Sequence, residues 1–203
     1  MEDMSKGGQR GRRDSRGKRP PRATADEGLG RFLAFILRHH PEEIGLTLDE
    51  EGAVDIDTLL KQIRTRPGLE NATRERLERL ASGQTATRFE ILGNRIRARY
   101  GHSLPQIIRY EPAAPPPHLF HGTTPEAAEA ILREGLKAVQ RQRVHLSVDT
   151  PTAGEVGRRR CPNPVILRID TACAAKAGVR FYPAGPSVWL SDDLPPECIT
   201  RAE

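Results

Sequence analysis

Long apolar runs, cysteine and lysine are all scarce in this chain. The longest uninterrupted apolar run is Phe32-Leu-Ala-Phe-Ile-Leu37, far short of the ~20 residues that cross a bilayer. No transmembrane helix is expected, and no apolar segment follows the basic N-terminus as a secretory signal would require. Three cysteines, Cys161, Cys173 and Cys198, are too few and too scattered to predict a disulfide framework or a thiolate metal site. A reducing cytoplasm is the expected setting. No G-x-G-x-x-G or P-loop signature occurs, which argues against an ordinary dinucleotide fold or a P-loop enzyme. No metal-ligand spacing and no internal repeat is visible, and no metal is expected.

What is present is 203 residues and a formal charge of +5. Residues 5–24 hold eight bases and one acid, a local charge of +7, so the remainder, with 24 bases and 26 acids, carries −2. A folded part that binds a polyanion must therefore do so with clustered arginines rather than bulk charge. Arginine outnumbers lysine 27 to 5. Genomic base composition accounts for such a ratio, and so does a need for forked guanidinium groups that grip phosphate.

Residues 1–27 contain almost no large apolar side chain and are predicted to be a disordered basic tail. Either an arm that touches RNA or an idle extension fits them. Leu29, Phe32, Leu33, Ile36 and Leu37 then recur at helical spacing, ending before Pro41. Asp49-Glu-Glu-Gly52 is a turn, Val54 and Ile56 alternate as a short strand, and Asp55 or Asp57 caps a second helix through Ile63. A third helix is expected over about 73–81. The alternation from Arg88 to Tyr100 around Gly93-Asn94 is a β-hairpin signature. Three helices and a two-stranded ribbon are the layout of a winged-helix lobe, here residues 28–110.

Glu111-Pro-Ala-Ala-Pro-Pro-Pro117 reads as a semi-rigid linker. Beyond it, residues 118–203 alternate short strands and helices, an α+β pattern. Strands are expected at 119–121, 144–147, 180–182, 187–190 and 197–201, with a buried one at 164–170. Thr124-Pro125 and Thr150-Pro151 each combine a cap residue with proline at a helix start.

Several residues could carry chemistry. Arg38 and His39 sit at the end of the first helix, where cations meet the negative end of the macrodipole; the same pair would suit an anion. Arg95, Arg97 and Arg99 share one face of the hairpin, a crowding of like charge that calls for a compensating anion. His121-Gly122-Thr123 ends a strand, where glycine permits close approach of a ligand. Arg141-Gln-Arg143 leads into the strand of His145, and Arg158-Arg-Arg160 forms a further cluster.

Leu37-Arg-His39, Gly45-Leu-Thr-Leu-Asp49, Gly52-Ala-Val-Asp-Ile-Asp57, Arg88-Phe89, Ile96-Arg-Ala-Arg-Tyr-Gly-His-Ser103, Leu119-Phe-His-Gly-Thr123, Arg141-Gln-Arg-Val-His-Leu-Ser147 and Val188-Trp-Leu190 occur in this order. The ordered set, spanning about residues 28–201, strongly resembles the tRNA 2′-phosphotransferases. The resemblance implies a winged-helix lobe followed by an ADP-ribosyltransferase-like lobe. It also implies a reaction in which an internal RNA 2′-phosphate attacks the nicotinamide ribose of NAD and releases nicotinamide. The neighbouring 2″-hydroxyl then attacks the phosphate, giving 2′-hydroxyl RNA and ADP-ribose 1″,2″-cyclic phosphate.

On this resemblance the family's catalytic tetrad falls on Arg38, His39, Arg88 and Arg141, with Arg141 preferred over Arg143 because it lies four residues before His145. An anionic phosphate needs placement rather than a general base, guanidinium donors stabilise charge developing on its oxygens, and His39 is the candidate proton donor to the departing 2′-oxygen. NAD would be held by His121, Gly122, Thr123, His145 and Ser147, with Arg97, His102 and Ser103 closing the cleft. Val188 stands where many ADP-ribosyltransferases carry a glutamate. Ala86, Thr87 and Tyr100 depart from the family's pattern. Two alternatives are ADP-ribosylation of phosphorylated nucleic-acid ends and a non-catalytic winged-helix protein that binds nucleic acid. The expected partners are NAD and RNA bearing a 2′-phosphate, and the expected state is a monomer with no membrane association.

Overall fold

The computed structural model describes residues 25–82 and 88–202. The predicted disordered tail lies outside them except for its last three residues, as do Ala86 and Thr87. Helix α1 (Ala25–Arg38) begins earlier than expected, so residues 25–27 are helical rather than tail. The reason is electrostatic: Asp26, in the first turn, pairs with Arg76 at 2.8 Å and Arg79 at 3.2 Å and suits the positive helix end.

The N-terminal half follows its hydrophobic spacing closely. β1 (Ala53–Asp55) leads directly into α2 (Ile56–Ile63), whose first turn is capped by the Asp55 carboxylate accepting from the Thr58 amide. α3 (Arg74–Ser82) precedes the hairpin of β2 (Phe89–Leu92) and β3 (Arg95–Ala98). These strands form an antiparallel sheet in the order β1-β3-β2. Leu29, Leu33, Ile36 and Leu37 of α1 pack against Ile56, Leu59, Ile63, Leu77, Phe89 and Ile96, all fully buried or nearly so. Each such burial is worth ~1.5–3 kcal/mol.

The C-terminal half contains β4 (His118–Thr123), α4 (Pro125–Glu134), β5 (Val144–Ser147), α5 (Thr150–Arg158), β6 (Val165–Asp170), α6 (Thr171–Lys176), β7 (Phe181–Gly185), β8 (Val188–Ser191) and β9 (Ile199–Arg201). One antiparallel sheet runs β7-β8-β5-β4-β6-β9. Its edges are β7, which holds Pro183 and a register shift beside it, and the three-residue β9. The sheet is a mixed-class partner to the helices, and among the described residues no helix is long and apolar enough to cross a membrane.

Three sequence expectations change here. β6 is buried through Leu167 and Ile169 on one face, while on the other Ile166 is half-buried and Arg168 and Asp170 are exposed. α5 is capped by Asp149 rather than Thr150. Cys173 on α6 and Cys198 are joined in a disulfide, their Cα atoms 5.5 Å apart; α6 was not predicted, and it is what brings the two together. Cys161 is a free thiol.

Gly122 has a structural reason of its own. A Cβ there would lie 1.9 Å from the carbonyl oxygen of Ala153, so α5 packs on β4 backbone to backbone. On the side where a Cβ would stand, the space that glycine opens is filled by α5.

The proline-rich residues 111–117 are docked rather than free. Ala113 donates to Phe181 O at 2.9 Å, and Thr171 Oγ1 donates to Pro116 O at 2.6 Å. A small core of Tyr182, Ala184 and Leu190 packs on Tyr100, Tyr110 and Val188, joining the two halves.

Candidate active site

The first helix delivers two groups to the seam between the halves. Arg38 is the last residue of α1, and His39 follows it. Ser103 holds both: its amide donates to Arg38 O at 3.0 Å, and its hydroxyl lies 2.7 Å from His39 Nδ1. The Arg38 guanidinium sits over the Tyr100 ring, 5.1 Å from its centroid. It also passes beside Gly101, whose φ of +91° disfavours any side chain there and whose Cβ position lies in ordinary contact with the Arg38 side chain, 3.5 Å away. Its Nε and Nη2 are buried without a hydrogen-bond partner.

Arg88 enters from the start of the hairpin, its carbonyl fixed by the Arg99 amide at 2.9 Å. Arg141 enters from the other half, just before β5. Burial lowers the Arg38 pKa from the ordinary arginine value, and the charges of Arg88 and Arg141 lower it further. Arg141 is likewise lowered by loss of water and by Arg160 and Arg159. His39 is held below the usual histidine value by burial, Arg38, His40 and Arg141. Among the described residues no carboxylate pairs with Arg38, Arg88 or Arg141.

His145 and His121 line up on neighbouring strands. His121 Nδ1–H donates to His145 O at 3.0 Å, and His145 Nδ1–H donates to Arg143 O at 3.0 Å. His145 Nε2 is thus a bare acceptor, buried and unpartnered. Burial and the Arg141 charge push this imidazole down to about 3, and burial lowers His121 as well. The Tyr100 ring meets His145 edge-on at 5.7 Å, linking it to Arg38. Thr123 and Ser147 are buried in the same sheet.

Other expected residues are already engaged elsewhere. Arg97 pairs with Glu90 at 2.6 Å, Arg99 with the same carboxylate at 3.2 Å, and Arg95 with Asp49 at 2.6 Å. The arginine face of the hairpin is therefore neutralised by carboxylates of its own half, not by an external anion. His102 is 2% exposed, bonded through Nδ1 to the Tyr110 hydroxyl at 2.9 Å, and pushed down to about 4 by burial and Arg38. Arg143 turns away to Asp192 at 2.6 Å and stacks on Tyr182 at 4.8 Å. Tyr100 and Gln142 were not singled out from the sequence as site residues; the only signal was Tyr100 as a departure from a family pattern.

A cavity of about 660 Å³ between α2 and α3 shares no residue with this cluster. Asp57, Lys61, Arg64, Arg74 and Glu75 interleave both signs of charge along it. The seam is different: three guanidinium groups and a histidine converge, and among the described residues no acid pairs with the three. Guanidinium forks match phosphate oxygens in geometry, and a buried cation without a counter-charge is costly until an anion arrives.

The model of the RNA 2′-phosphotransferase, Tpt1 / KptA family matches residues 24–193, which contain the whole cluster. A protein of Thermococcus kodakarensis named as a probable RNA 2′-phosphotransferase is 41% identical over 174 residues, 86% of this chain and 96% of that one. One of Lacticaseibacillus paracasei with the same name is 42% identical over 168 residues, covering 82% and 88%. Another of Rhizobium rhizogenes is 40% identical over 178 residues, covering 88% and 95%. Identity of that extent runs through both halves and the seam between them, and the chain belongs to the RNA 2′-phosphotransferase family.

Proposed function

We propose that this protein transfers an internal 2′-phosphate from RNA to NAD, releasing nicotinamide and ADP-ribose 1″,2″-cyclic phosphate and leaving a 2′-hydroxyl. The observation that carries this reading is the carboxylate-free cluster of Arg38, Arg88 and Arg141, with two buried, unpartnered nitrogens on Arg38. A phosphate supplies the missing negative charge and accepts from all three forks. Being anionic already at neutral pH, it needs no general base to act as nucleophile, only placement. The apolar Val188, half-buried on β8, agrees with a site that deprotonates nothing.

The three arginines orient the phosphate and stabilise charge that builds on its oxygens. His39, aimed by Ser103 at Nδ1, delivers a proton to the departing RNA 2′-oxygen. Burial is the main cause of its depressed pKa and the charges of Arg38 and Arg141 add to it, so a phosphate that neutralises them favours the protonated ring.

NAD supplies the acceptor ribose and nicotinamide as the leaving group. The unpartnered His145 Nε2 is an acceptor suited to a ribose hydroxyl or an amide, and His121, Thr123, His145 and Ser147 would hold NAD. Gly122, Arg97, His102 and Ser103 act from behind, through the packing and hydrogen bonds described above. Three helices and an antiparallel hairpin support a winged-helix lobe for the N-terminal half. An antiparallel sheet with short flanking helices supports an ADP-ribosyltransferase-like lobe for the other.

The test incubates the purified protein with NAD and a short RNA carrying one internal 2′-phosphate. Dephosphorylated RNA and the cyclic phosphate are expected together. Neither dephosphorylated nor ADP-ribosylated RNA would overturn the reading, and ADP-ribosylated RNA ends alone would replace it with end modification.

A further inference from the structure

Gln142 stands between Arg141 and Arg143, yet its side chain leaves its own half of the molecule. Its Nε2 donates to Leu104 O at 2.9 Å and to Gln106 O at 2.7 Å. Its Oε1 accepts from the Ile108 amide at 2.9 Å. The Gln142 backbone amide adds a bond to His102 O at 3.2 Å. Both donors and the acceptor oxygen of one side-chain amide are thus used on residues 104–108, a stretch without regular secondary structure.

That stretch directly follows Ser103, which holds the Arg38 carbonyl and the His39 ring. Gln142 itself is the next residue after Arg141. A short covalent and hydrogen-bonded path therefore runs from Arg141 through Gln142 and residues 103–108 to Arg38 and His39. The geometry points to Gln142 as a positioning residue: a latch across the seam that sets the distance of Arg141 from Arg38 and His39. The inference rests on the phosphate-binding role proposed above for this cluster.

A latch is needed because the groups it brings together repel. Arg38, Arg88 and Arg141 share one sign, and among the described residues no carboxylate pairs with them to draw the halves together. The apolar contacts of Tyr100, Tyr110 and Tyr182 favour closure, but burial is non-directional and does not fix a register. Directional bonds do. Arg143 contributes from the other side, since its pairing with Asp192 and stacking on Tyr182 anchor the same three-residue strut. Misplacement by about 1 Å costs on the order of 100-fold in a well-oriented reaction, so a loosened latch registers in turnover before it registers in folding.

The test compares the full chain with Gln142→Met, which keeps length and packing but donates nothing, and Gln142→Asn, which keeps the amide but is one methylene short. Asp26→Ala, which breaks the Arg76 and Arg79 pairs at the far end of α1, serves as a control for lost stability. Four quantities are read: melting temperature, amide exchange at residues 104–108, affinity for inorganic phosphate, and kcat and KM for RNA and NAD.

Both Gln142 variants are expected to speed exchange at Ile108, weaken phosphate binding roughly tenfold and lower kcat more than the KM for NAD changes, as misorientation does. Asp26→Ala is expected to lower the melting temperature and leave phosphate affinity and kcat within about twofold. Should Gln142→Met not fold, Gln142→Asn decides. Phosphate affinity and kcat within twofold of the native chain, or an equal loss in Asp26→Ala, would overturn the latch. If the native chain binds phosphate and the variants bind it less, but no transfer to NAD occurs, the latch stands and the proposed reaction falls. If the native chain binds no phosphate, both fall.

Discussion

Arg141 and Arg143 lie two residues apart and serve different masters. Arg143 is tied to Asp192 and Tyr182, whereas Arg141 has no acidic partner among the described residues. Replacing Arg141 with alanine should cut turnover ~100- to 1,000-fold, the scale for losing one preorganised donor, with little change in melting temperature. RNA joined through its phosphate to ADP-ribose should accumulate. Arg143→Ala should instead cost about 2 kcal/mol of stability from a lost charged hydrogen bond. Steady-state assays paired with thermal denaturation check both, and the opposite pattern would move the catalytic role to Arg143. Spacing to His145 was enough to favour Arg141 from sequence through a family resemblance. The partners of its neighbours were not legible: Asp192 is 49 residues from Arg143, and Asp49 is 46 from Arg95. A strand of arginines looks the same on paper whether its counter-charge is a ligand or a distant aspartate.

Among the elements, those with strong local signals were readable. Apolar spacing and capping placed the helices of the N-terminal half, Gly93-Asn94 placed the hairpin, and Thr124-Pro125 opened α4 with Thr124 as its cap. α6 escaped because six residues are too few to show periodicity. With it went the disulfide, since Cys173 and Cys198 meet only once α6 has turned back toward residues 196–198. Gly122 has a packing role that the sequence around it does not display. Its role as the contact between β4 and α5 predicts that Gly122→Ala, by forcing a carbon against the Ala153 carbonyl, destabilises the protein by at least ~1–3 kcal/mol. Urea unfolding measures this; a midpoint unchanged from the native protein would mean that α5 shifts freely, contrary to the packing.

Over the whole molecule, the histidines buried near the seam set an acid limit. An unfolded chain protonates histidine near pH 6.5, but the fold keeps His102 neutral down to about 4 and His145 down to about 3. Between those values the unfolded state binds more protons, so stability is complete above pH 7 and declines as pH falls from about 6.5 toward 4. At ~1.4 kcal/mol per unit, His102 alone contributes roughly 3 kcal/mol to that decline. Urea midpoints collected between pH 7.5 and 4.5 should fall throughout the lower half of this range, and a flat profile would mean that these rings are wet. The same scale reinterprets the net charge. The basic surplus sits in residues 5–24, while the remainder carries −2, and among the described residues it places Arg38 and Arg141, both partly stripped of water, near one another at the seam.

The ends of the six-stranded sheet have a consequence for life at high concentration. A free edge is a template on which another copy can add a strand, yet one edge here is interrupted by Pro183, which has no amide hydrogen to offer, and the other is only three residues long. Neither row is long enough to recruit a neighbour. The six-stranded sheet is thereby kept from seeding a fibre.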